Sequence, residues 1–473
     1  MLTPILDALA WAKAQFGKVK LGDARRTDRA VKVASAMAEG GSETVPLETD
    51  TLAEARAAYR LFDKEDVTHE AITRQHRDQV IAAARETNDV VFFIHDDTLL
   101  DFSHRHSLTG VGPIGNGRGR GFIPSSGYSN GFAAGTLASL AHSCLAAFPD
   151  GRVLGLAHQA VWVRAEKTQK KKRSKKVRSK KIRSKKTRSK KIVRRTEAAV
   201  WEEDVAAIGR CPQGKTWISL GDRGADVFTH FEACLDLGWQ CLVRLAHDRV
   251  LLDGGRLLQK ARSLAPMAQR VTEVKGKDVS LTVSWFDTRI KRPAACGPGS
   301  LSIACSVVRV CNDEEELEWI LLSTLPVTTA QAAFERVDWY KSRWLIEEFH
   351  KGLKTGCKIE RSQLRTAERF LPLPGVASIV AVRLLQVRAD ARAYPDDPVA
   401  EAERTIEVLA LTLDHPANTL RTNRGFARGV AVLGGFRGRK GDGEPGWQTI
   451  SRGLLVLGLI LFGVNLVQGM GCG

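Results

Sequence analysis

The sequence lacks any paired-cysteine motif, although nine cysteines are scattered through its 473 residues. An odd number of unclustered thiols favours reduced cytosolic cysteines over a disulfide framework or a zinc ribbon. The N-terminus also lacks the short apolar core and the small-residue cleavage site of a signal peptide. These absences predict a cytoplasmic protein.

Acidic residues are missing from residues 167–195, which contain twelve lysines and six arginines. The whole chain has 71 basic and 53 acidic residues, so these 18 cations account for the entire formal net charge of +18. Arg173, Arg178, Arg183 and Arg188 each begin an R-S-K-K-x repeat, whose period matches neither a helix nor a strand. We therefore expect a charge-balanced globular protein with one disordered polycationic insert.

One nearly continuous apolar segment, residues 453–470, has about the length of a minimal membrane span. It contains Asn465 and Gln468 and follows a soluble chain, which favours a buried or dimer-forming helix over a membrane anchor. We therefore expect no membrane partner.

Hydrophobic periodicity divides the remaining chain into parts. Residues 1–66 have the pattern of short helices, and three arginines near the start of one helix suit phosphate contacts or form an ordinary solvated face. From Thr328 onward the pattern is mostly helical. Between these parts lie strand-like runs at residues 90–94, 134–140, 153–163, 216–220, 241–245, 279–286, 301–310 and 318–323. Strands with a crossover helix, followed by helices, predict an α/β core with a helical C-terminal part.

The segment YKSRWLIEEFHKGLK has the most informative pattern. On a continuous helix at about 100° per residue, four side chains share a stripe about 60° wide: Tyr340, Arg343, Glu347 and Lys354. Glu348 points about 100° away from this stripe. An aromatic ring, two cations and a carboxylate on one face suit a site that holds a phosphodiester beside a metal. An amphipathic helix with a salt-bridged edge would have the same pattern.

Two more carboxylates follow strand-like runs, Asp97 in IHDDT and Asp222 in GDRGAD. Carboxylates at strand ends can converge with Glu347 and bind a pair of Mg²⁺ ions, because this cation prefers oxygen ligands. Two such ions activate water and stabilise the leaving oxygen in a displacement at phosphorus. Three histidines near the first aspartate are predicted to be loop residues and not ligands, because Mg²⁺ sites rarely use imidazole. They are His95, His104 and His106.

The tyrosine-to-lysine segment matches the signature Y-x-x-R-x-x-x-E-x-x-x-x-x-x-K. With it, the chain resembles bacterial DDE transposases related to the transposon-five enzyme along nearly its whole length. LGDARRTDR, IHDDT, GDRGAD and WILLSTLPVTTAQAAFERVDWYKSRWLIEEFHKGLKTG carry the resemblance in the same order. The R-S-K-K-x array has no counterpart in the family pattern, and the final segment resembles other members of the wider family more closely.

The resemblance implies a fold and a domain order. An α/β catalytic domain with a ribonuclease-H-like core would occupy residues 67–365, with the polycationic insert at 167–195 and a β-rich insertion at about 240–325. An N-terminal helical DNA-binding domain, residues 1–66, would precede it. A C-terminal helical dimerisation region, residues 366–473, would follow it.

The resemblance also implies roles for individual residues. Asp97, Asp222 and Glu347 would be the catalytic and metal-binding triad, with two Mg²⁺ ions that Mn²⁺ could replace. The DNA-binding residues would be Tyr340, Arg343 and Lys354 near the scissile phosphate, Trp319 against a flipped base, and Arg25, Arg26 and Arg29 at the transposon end. Trp319 could also be an ordinary core residue of its strand.

The implied activity is cut-and-paste DNA transposition by a homodimer that binds terminal inverted repeats and target DNA. One strand would be nicked at each end, the freed 3′-hydroxyl would form a hairpin, and strand transfer would follow. The protein would be bacterial and cytoplasmic, associated with the nucleoid when bound to DNA. Two alternatives remain open: a structure-specific nuclease on the same core, and a catalytically inactive DNA-binding relative.

Overall fold

The computed structural model describes residues 8–39, 52–102, 108–109, 112–113, 137–163, 197–274, 277–312 and 317–470. The predictions for the R-S-K-K-x array and for His104 and His106 lie outside these residues. The N-terminal part is helical, as predicted. Its helices are α1 (Ala8–Phe16), α2 (Ala24–Glu39) and α3 (Leu52–Leu61), and α4 (His69–Glu86) leads into the first strand.

Within the described residues, ten strands form one sheet. They are β1 (Val91–Asp101), β2 (Gly112–Pro113), β3 (Leu137–Ala147), β4 (Val153–Trp162), β5 (Trp217–Gly221), β6 (Gln240–Arg244), β7 (Ala268–Val274), β8 (Lys277–Lys291), β9 (Ser302–Asn312) and β10 (Leu317–Ser323). Their order is β2-β3-β1-β5-β6-β10-β9-β8-β7, and β4 pairs with β3. The β1–β5 and β5–β6 pairs are parallel, whereas β3 is antiparallel to both β1 and β4.

The predicted strands agree with the observed ones. Each strand-like run overlaps one strand, and the sequence missed only the two-residue β2 and the edge strand β7. Side chains of β7 are exposed or half-buried, and Val271 is 62% exposed. An edge strand without a buried face lacks the apolar alternation by which strands are recognised.

Helices cover the sheet and form the C-terminal part of the chain. They are α5 (Glu197–Ile208), α6 (Phe228–Asp236), α7 (Leu257–Ser263), α8 (Ala330–Lys341), α9 (Trp344–Lys351), α10 (Ala367–Phe370), α11 (Leu373–Ala393), α12 (Glu403–Leu413), α13 (Asn423–Leu433) and α14 (Trp447–Met470). The helical pattern predicted after Thr328 is confirmed. Helix α11 is buried along most of its length and packs against α4 and β4.

Two described segments, Ala367–Ala393 and Trp447–Val464, are long and apolar enough to cross a membrane by length and composition. In the first segment, 89% of the most apolar 18 residues are buried inside the protein, as expected of a core helix. In the second segment, only 22% are buried. Leu459 and Phe462 of α14 are 63% and 54% exposed. The sequence analysis predicted that residues 453–470 form either a buried helix or a dimer-forming helix. The prediction of a buried helix is wrong for most of α14. Dimerisation through it stays a prediction.

Candidate active site

The parallel ladder of β1 and β5 brings two aspartates to the same edge of the sheet. Its last pair is His95 with Gly221, so Asp96 and Asp222 are the next residues on the two strands. Both aspartates are buried, with exposed fractions of 2% and 6%. The Oδ1 atom of Asp222 also accepts a hydrogen bond of 2.7 Å from the backbone of Gly224.

Asp96 and Asp97 lie on opposite faces of β1, because side chains alternate along a strand. Asp96 shares the face of Ile94, which belongs to the core that α9 completes. Asp97 shares the face of Phe93, which belongs to a second core. The Oδ1 atom of Asp97 lies 2.6 Å from Nδ1 of His142. The sequence predicted that the strand ends at Asp97, but the strand continues to residue 101.

Arg343 connects the first aspartate to the glutamate of α9. Its Nη1 atom lies 4.0 Å from Oδ2 of Asp96, and its Nη2 atom lies 2.5 Å from Oε1 of Glu347. His350 Nδ1 is also 4.0 Å from Oδ2 of Asp96. Burial raises the pKa of Asp96 well above its usual range, nearby Asp222 raises it further, and Arg343 opposes the rise. The carboxylates of this cluster therefore need positive charge beside them.

The segment from Tyr340 to Lys354 is not one straight helix. Helices α8 and α9 are separated by a break at Ser342 and Arg343, and Gly352–Gly356 form a π-helical turn. The prediction that one continuous helix places four of its side chains on a single stripe is therefore wrong. The break nevertheless leaves the Arg343 guanidinium 5.9 Å from the centre of the Tyr340 ring. Burial lowers the pKa of Lys354, and neighbouring carboxylates, including Asp96, oppose this shift.

Glu348 points away from this cluster, as the helical period predicted. Its Oε1 atom lies 2.9 Å from Lys351, and its Oε2 atom lies 3.2 Å from Arg388 of α11. Glu348 therefore holds α9 against α11, whereas Glu347 faces Arg343.

Trp319 of β10 packs edge-to-face against Tyr340 of α8, with 5.1 Å between the ring centres. Tyr340 is buried, and burial raises its pKa to about 12. Trp319 is only half-buried. It therefore packs against the core and Tyr340 while part of the residue stays accessible to solvent.

A basic pocket of about 300 Å³ adjoins the strand of Trp319. It is lined by Arg223, Arg244 and Arg262, together with Glu318. Burial lowers the pKa of Arg244, whose guanidinium donates to the carbonyl of Glu318 at 3.0 Å. The sequence analysis missed this pocket, although Arg223 directly follows Asp222 in GDRGAD.

The three N-terminal arginines differ in their surroundings. Arg25 extends into solvent, 91% of its side chain being exposed, and pairs with Asp23 at 3.1 Å. Arg26 donates to Asp66 at 2.8 Å and so ties α2 to the loop before α4. Arg29 is half-buried. Arg25 is thus the most accessible to a nucleic acid, whereas Arg26 already has an intramolecular partner.

The prediction that His95 lies in a loop is wrong, because it is fully buried within β1. It belongs to the face of Asp97, where its Nδ1 atom lies 3.4 Å from Oδ2 of Asp204 on α5. Burial lowers the pKa of His95 to about 4, although the neighbouring carboxylate opposes the shift. His95 therefore belongs to a polar cluster behind the aspartates of the parallel ladder.

Two protein families match separate parts of the chain. Residues 8–67 match the family described as transposase DNA-binding, and residues 157–371 match the family described as transposase DDE domain. The second match includes Asp222 and Glu347 but begins after Asp96. Among solved structures, a cryo-EM structure of a piggyBac transposase synaptic complex with hairpin DNA is similar at 11% identity and a TM-score of 0.37. That match covers 83% of this chain and 77% of the other.

Proposed function

We propose that this chain, a DNA transposase by its DNA-binding and DDE domains, binds the terminal inverted repeats of a mobile element and moves that element by cut-and-paste transposition. One observation carries the proposal. Asp96 and Asp222 stand side by side, buried, after the last pair of a parallel ladder, and Arg343 joins Asp96 to Glu347.

The proposed catalytic core is ribonuclease-H-like. The strand order β4-β3-β1-β5-β6 supports it, because the first three strands are antiparallel and the last two run parallel to β1. Strands β7 to β10 continue the same sheet and would be the β-rich insertion.

The proposed triad is Asp96, Asp222 and Glu347, which differs from the sequence prediction by one residue. Asp96 replaces Asp97 because it lies on the face of Asp222 and of α9. The donor set fits Mg²⁺, since all three groups are carboxylates and burial of Asp96 beside Asp222 calls for a cation. Bound there, Mg²⁺ ions would activate the attacking oxygen and stabilise the leaving one.

The surrounding cations would hold the DNA backbone. Although burial by itself lowers the pKa of Arg343, Tyr340 and Glu347 raise it above its ordinary value, so this side chain stays charged. Arg343 and Lys354 would orient the scissile phosphate by charge and hydrogen bonding. Arg25 would contact the transposon end from the N-terminal domain.

Hairpin formation requires a base to leave the stack, and an aromatic surface offsets that cost. The half-buried ring of Trp319, held by Tyr340, would supply this surface. The neighbouring arginines of the basic pocket would receive the phosphate beside the extruded base.

The proposed active form is a homodimer, located in the bacterial cytoplasm and associated with the nucleoid when bound to DNA. The exposed apolar side chains of α14 support a contact between two copies, because a single chain leaves Leu459 and Phe462 in water. The match to a transposase DNA-binding domain supports the DNA partner.

A supercoiled donor plasmid with both element ends tests the proposal and separates its alternatives. With Mg²⁺, we expect nicked ends, hairpin ends and joining to a second plasmid. Cleavage without joining would indicate a nuclease. Binding of the ends without cleavage in Mg²⁺ or Mn²⁺ would indicate an inactive relative.

A further inference from the structure

A second cluster of ligating side chains lies on the face of β1 opposite Asp96. It is built from three strands and one helix: His95 on β1, His142 on β3, His158 on β4 and Asp204 on α5. The side chains of His95, His142 and Asp204 have no exposed surface. This cluster has no part in the proposed DNA chemistry, and it contains imidazoles where the triad has only carboxylates.

Three of its polar atoms face one another without forming a hydrogen bond. His95 Nδ1 lies 3.4 Å from Asp204 Oδ2, and His142 Nε2 lies 3.1 Å from the same oxygen. Each of the three atoms is buried and has no hydrogen-bond partner. Unsatisfied polar atoms are costly in a protein interior, so three that converge on one point need a shared cation or a proton. Burial lowers the pKa of His142, but Asp204 and Asp97 together raise it to about 10, so a protonated His142 is the alternative to a bound metal ion.

Two of the distances among these atoms, both to Asp204 Oδ2, are close to those between ligands of a zinc ion. Zinc binds imidazole nitrogen and carboxylate oxygen at about 2.0–2.2 Å in tetrahedral geometry. Two ligands of such a tetrahedron are about 3.3–3.6 Å apart, because the edge is about 1.6 times the bond length. The observed 3.1 and 3.4 Å are close to this edge.

The second polar atom of each of these three side chains already has a partner. These contacts are His142 Nδ1 to Asp97 Oδ1 at 2.6 Å, Asp204 Oδ1 to His158 Nδ1 at 2.6 Å, and His95 Nε2 to Cys144 Sγ at 3.7 Å. Histidines that bind metals usually donate their second ring N–H to a carboxylate, which fixes the tautomer and the ring orientation. Asp97 occupies that position for His142.

We propose that His95 Nδ1, His142 Nε2 and Asp204 Oδ2 bind one Zn²⁺ ion, with a water as the fourth ligand. Two imidazoles and one carboxylate are a donor set for zinc and not for Mg²⁺. The three ligating side chains have no exposed surface, and the centre of the Trp201 ring lies 4.6 Å from that of His142, so the ion would not be in contact with substrate. The ion therefore has a structural role: it ties β1, β3 and α5 together behind the strand that carries Asp96.

Metal analysis of the untagged full-length protein tests this site independently of transposition. After purification with added Zn²⁺ and dialysis, we expect one zinc per chain by atomic emission. Asp204→Asn and His142→Gln should lose it. His230→Gln should keep it, because His230 is equally buried and its ring lies 5.8 Å from His95, but its Nε2 atom is 2.9 Å from Ser219. Asp96→Asn should also keep it, since Asp96 faces the other side of β1.

A second measurement does not depend on variants that could fail to fold. Chelator-treated wild-type protein loaded with Co²⁺ should develop the visible absorption of tetrahedral cobalt, and added Zn²⁺ should abolish this absorption and raise the melting temperature. Wild-type protein that holds no zinc and gives no cobalt spectrum overturns the proposal and leaves a proton shared by His142 and Asp204. Equal zinc content in Asp204→Asn and wild type overturns it as well.

Discussion

His142 holds Asp97 on the face of β1 that is turned away from Asp222, with 2.6 Å between its Nδ1 atom and the carboxylate. The adjacent Asp96 is thereby left as the aspartate that shares the face of Asp222. In a strand, a register error of one residue exchanges the two faces, so the choice between adjacent aspartates has a large chemical consequence.

Asp96→Asn should abolish Mg²⁺-dependent nicking of a donor end, because it removes one of the carboxylates proposed to hold the cations. Asp97→Asn is the matched control, because it makes the same chemical change at the neighbouring residue. This variant should retain nicking. Asp222→Asn should behave like Asp96→Asn. Gel assays of nicking and of end binding measure both effects. If Asp97→Asn lost nicking and Asp96→Asn kept it, the catalytic aspartate would be Asp97, as predicted from the sequence, and not Asp96.

Glu347→Gln should lower the nicking rate by at least about 10²-fold, the scale on which electrostatic groups act in active sites. Glu348→Gln should leave the rate nearly unchanged, because Glu348 contacts Lys351 and Arg388 and not the aspartates. Single-turnover nicking with saturating enzyme separates a chemical effect from weaker binding. Equal losses in both variants would argue against the assignment of the glutamate.

Trp319→Ala should separate the two strand-cleavage steps. Base stacking is worth roughly 1–3 kcal/mol, so hairpin formation should fall by about 10- to 100-fold while the first nick survives. Trp285→Ala on β8 is the control, because Trp285 is also half-buried against the same core but is not in the Tyr340 contact. An equal fall in nicking and hairpin formation would show that Trp319 serves only packing.

Deletion of residues 167–195 should weaken binding to a random duplex and flatten its salt dependence. Each phosphate contact that is lost lowers the slope of log affinity against log salt by about 0.9. Discrimination between terminal-repeat and random DNA should be unchanged or improved, because Arg25 and Arg29 remain. Binding isotherms over a range of salt concentrations measure the slope, and identical slopes for the two proteins would exclude a role as a DNA tether.

Asp226→Ala should destabilise the fold by about 3–5 kcal/mol, the cost of breaking a buried ion pair. Asp226 accepts from the backbone of Ala246 and His247 at 2.8 Å and binds the guanidinium of Arg249, and both charged side chains are almost fully buried. Asp253→Ala removes a mostly exposed carboxylate and should change stability by less than about 0.5 kcal/mol. Urea denaturation compares the two.

The sequence predicted the elements of the fold better than the details of the site. Apolar runs such as WISL predict buried central strands, and the structure contains them. The face of each aspartate depends on strand register against β5, and the period of the strand alone does not identify which of two adjacent aspartates meets Asp222. The break between α8 and α9 likewise has no local signal, since YKSR contains neither Gly nor Pro.

The sequence analysis missed two clusters of side chains that belong to no motif, the histidine–aspartate cluster and the basic pocket, for the same reason. His95, His142, His158 and Asp204 are up to 109 residues apart in sequence and meet only because β1, β3, β4 and α5 adjoin in space. The arginines of the basic pocket also come from separate elements: Arg223 from the turn after β5, Arg244 from β6 and Arg262 from α7. Side chains brought together by sheet order leave no periodic signal along the chain.

The 2.6 Å contact between His158 and Asp204 holds β4 against α5, and the polycationic insert lies in the sequence between these two elements. Doubling the length of a flexible connection costs only about 0.6 kcal/mol once its ends are fixed. We therefore expect that adding or removing R-S-K-K-x copies changes the free energy of folding very little. If the insert binds DNA as predicted, the number of copies would then change the affinity for DNA without changing the stability of the fold.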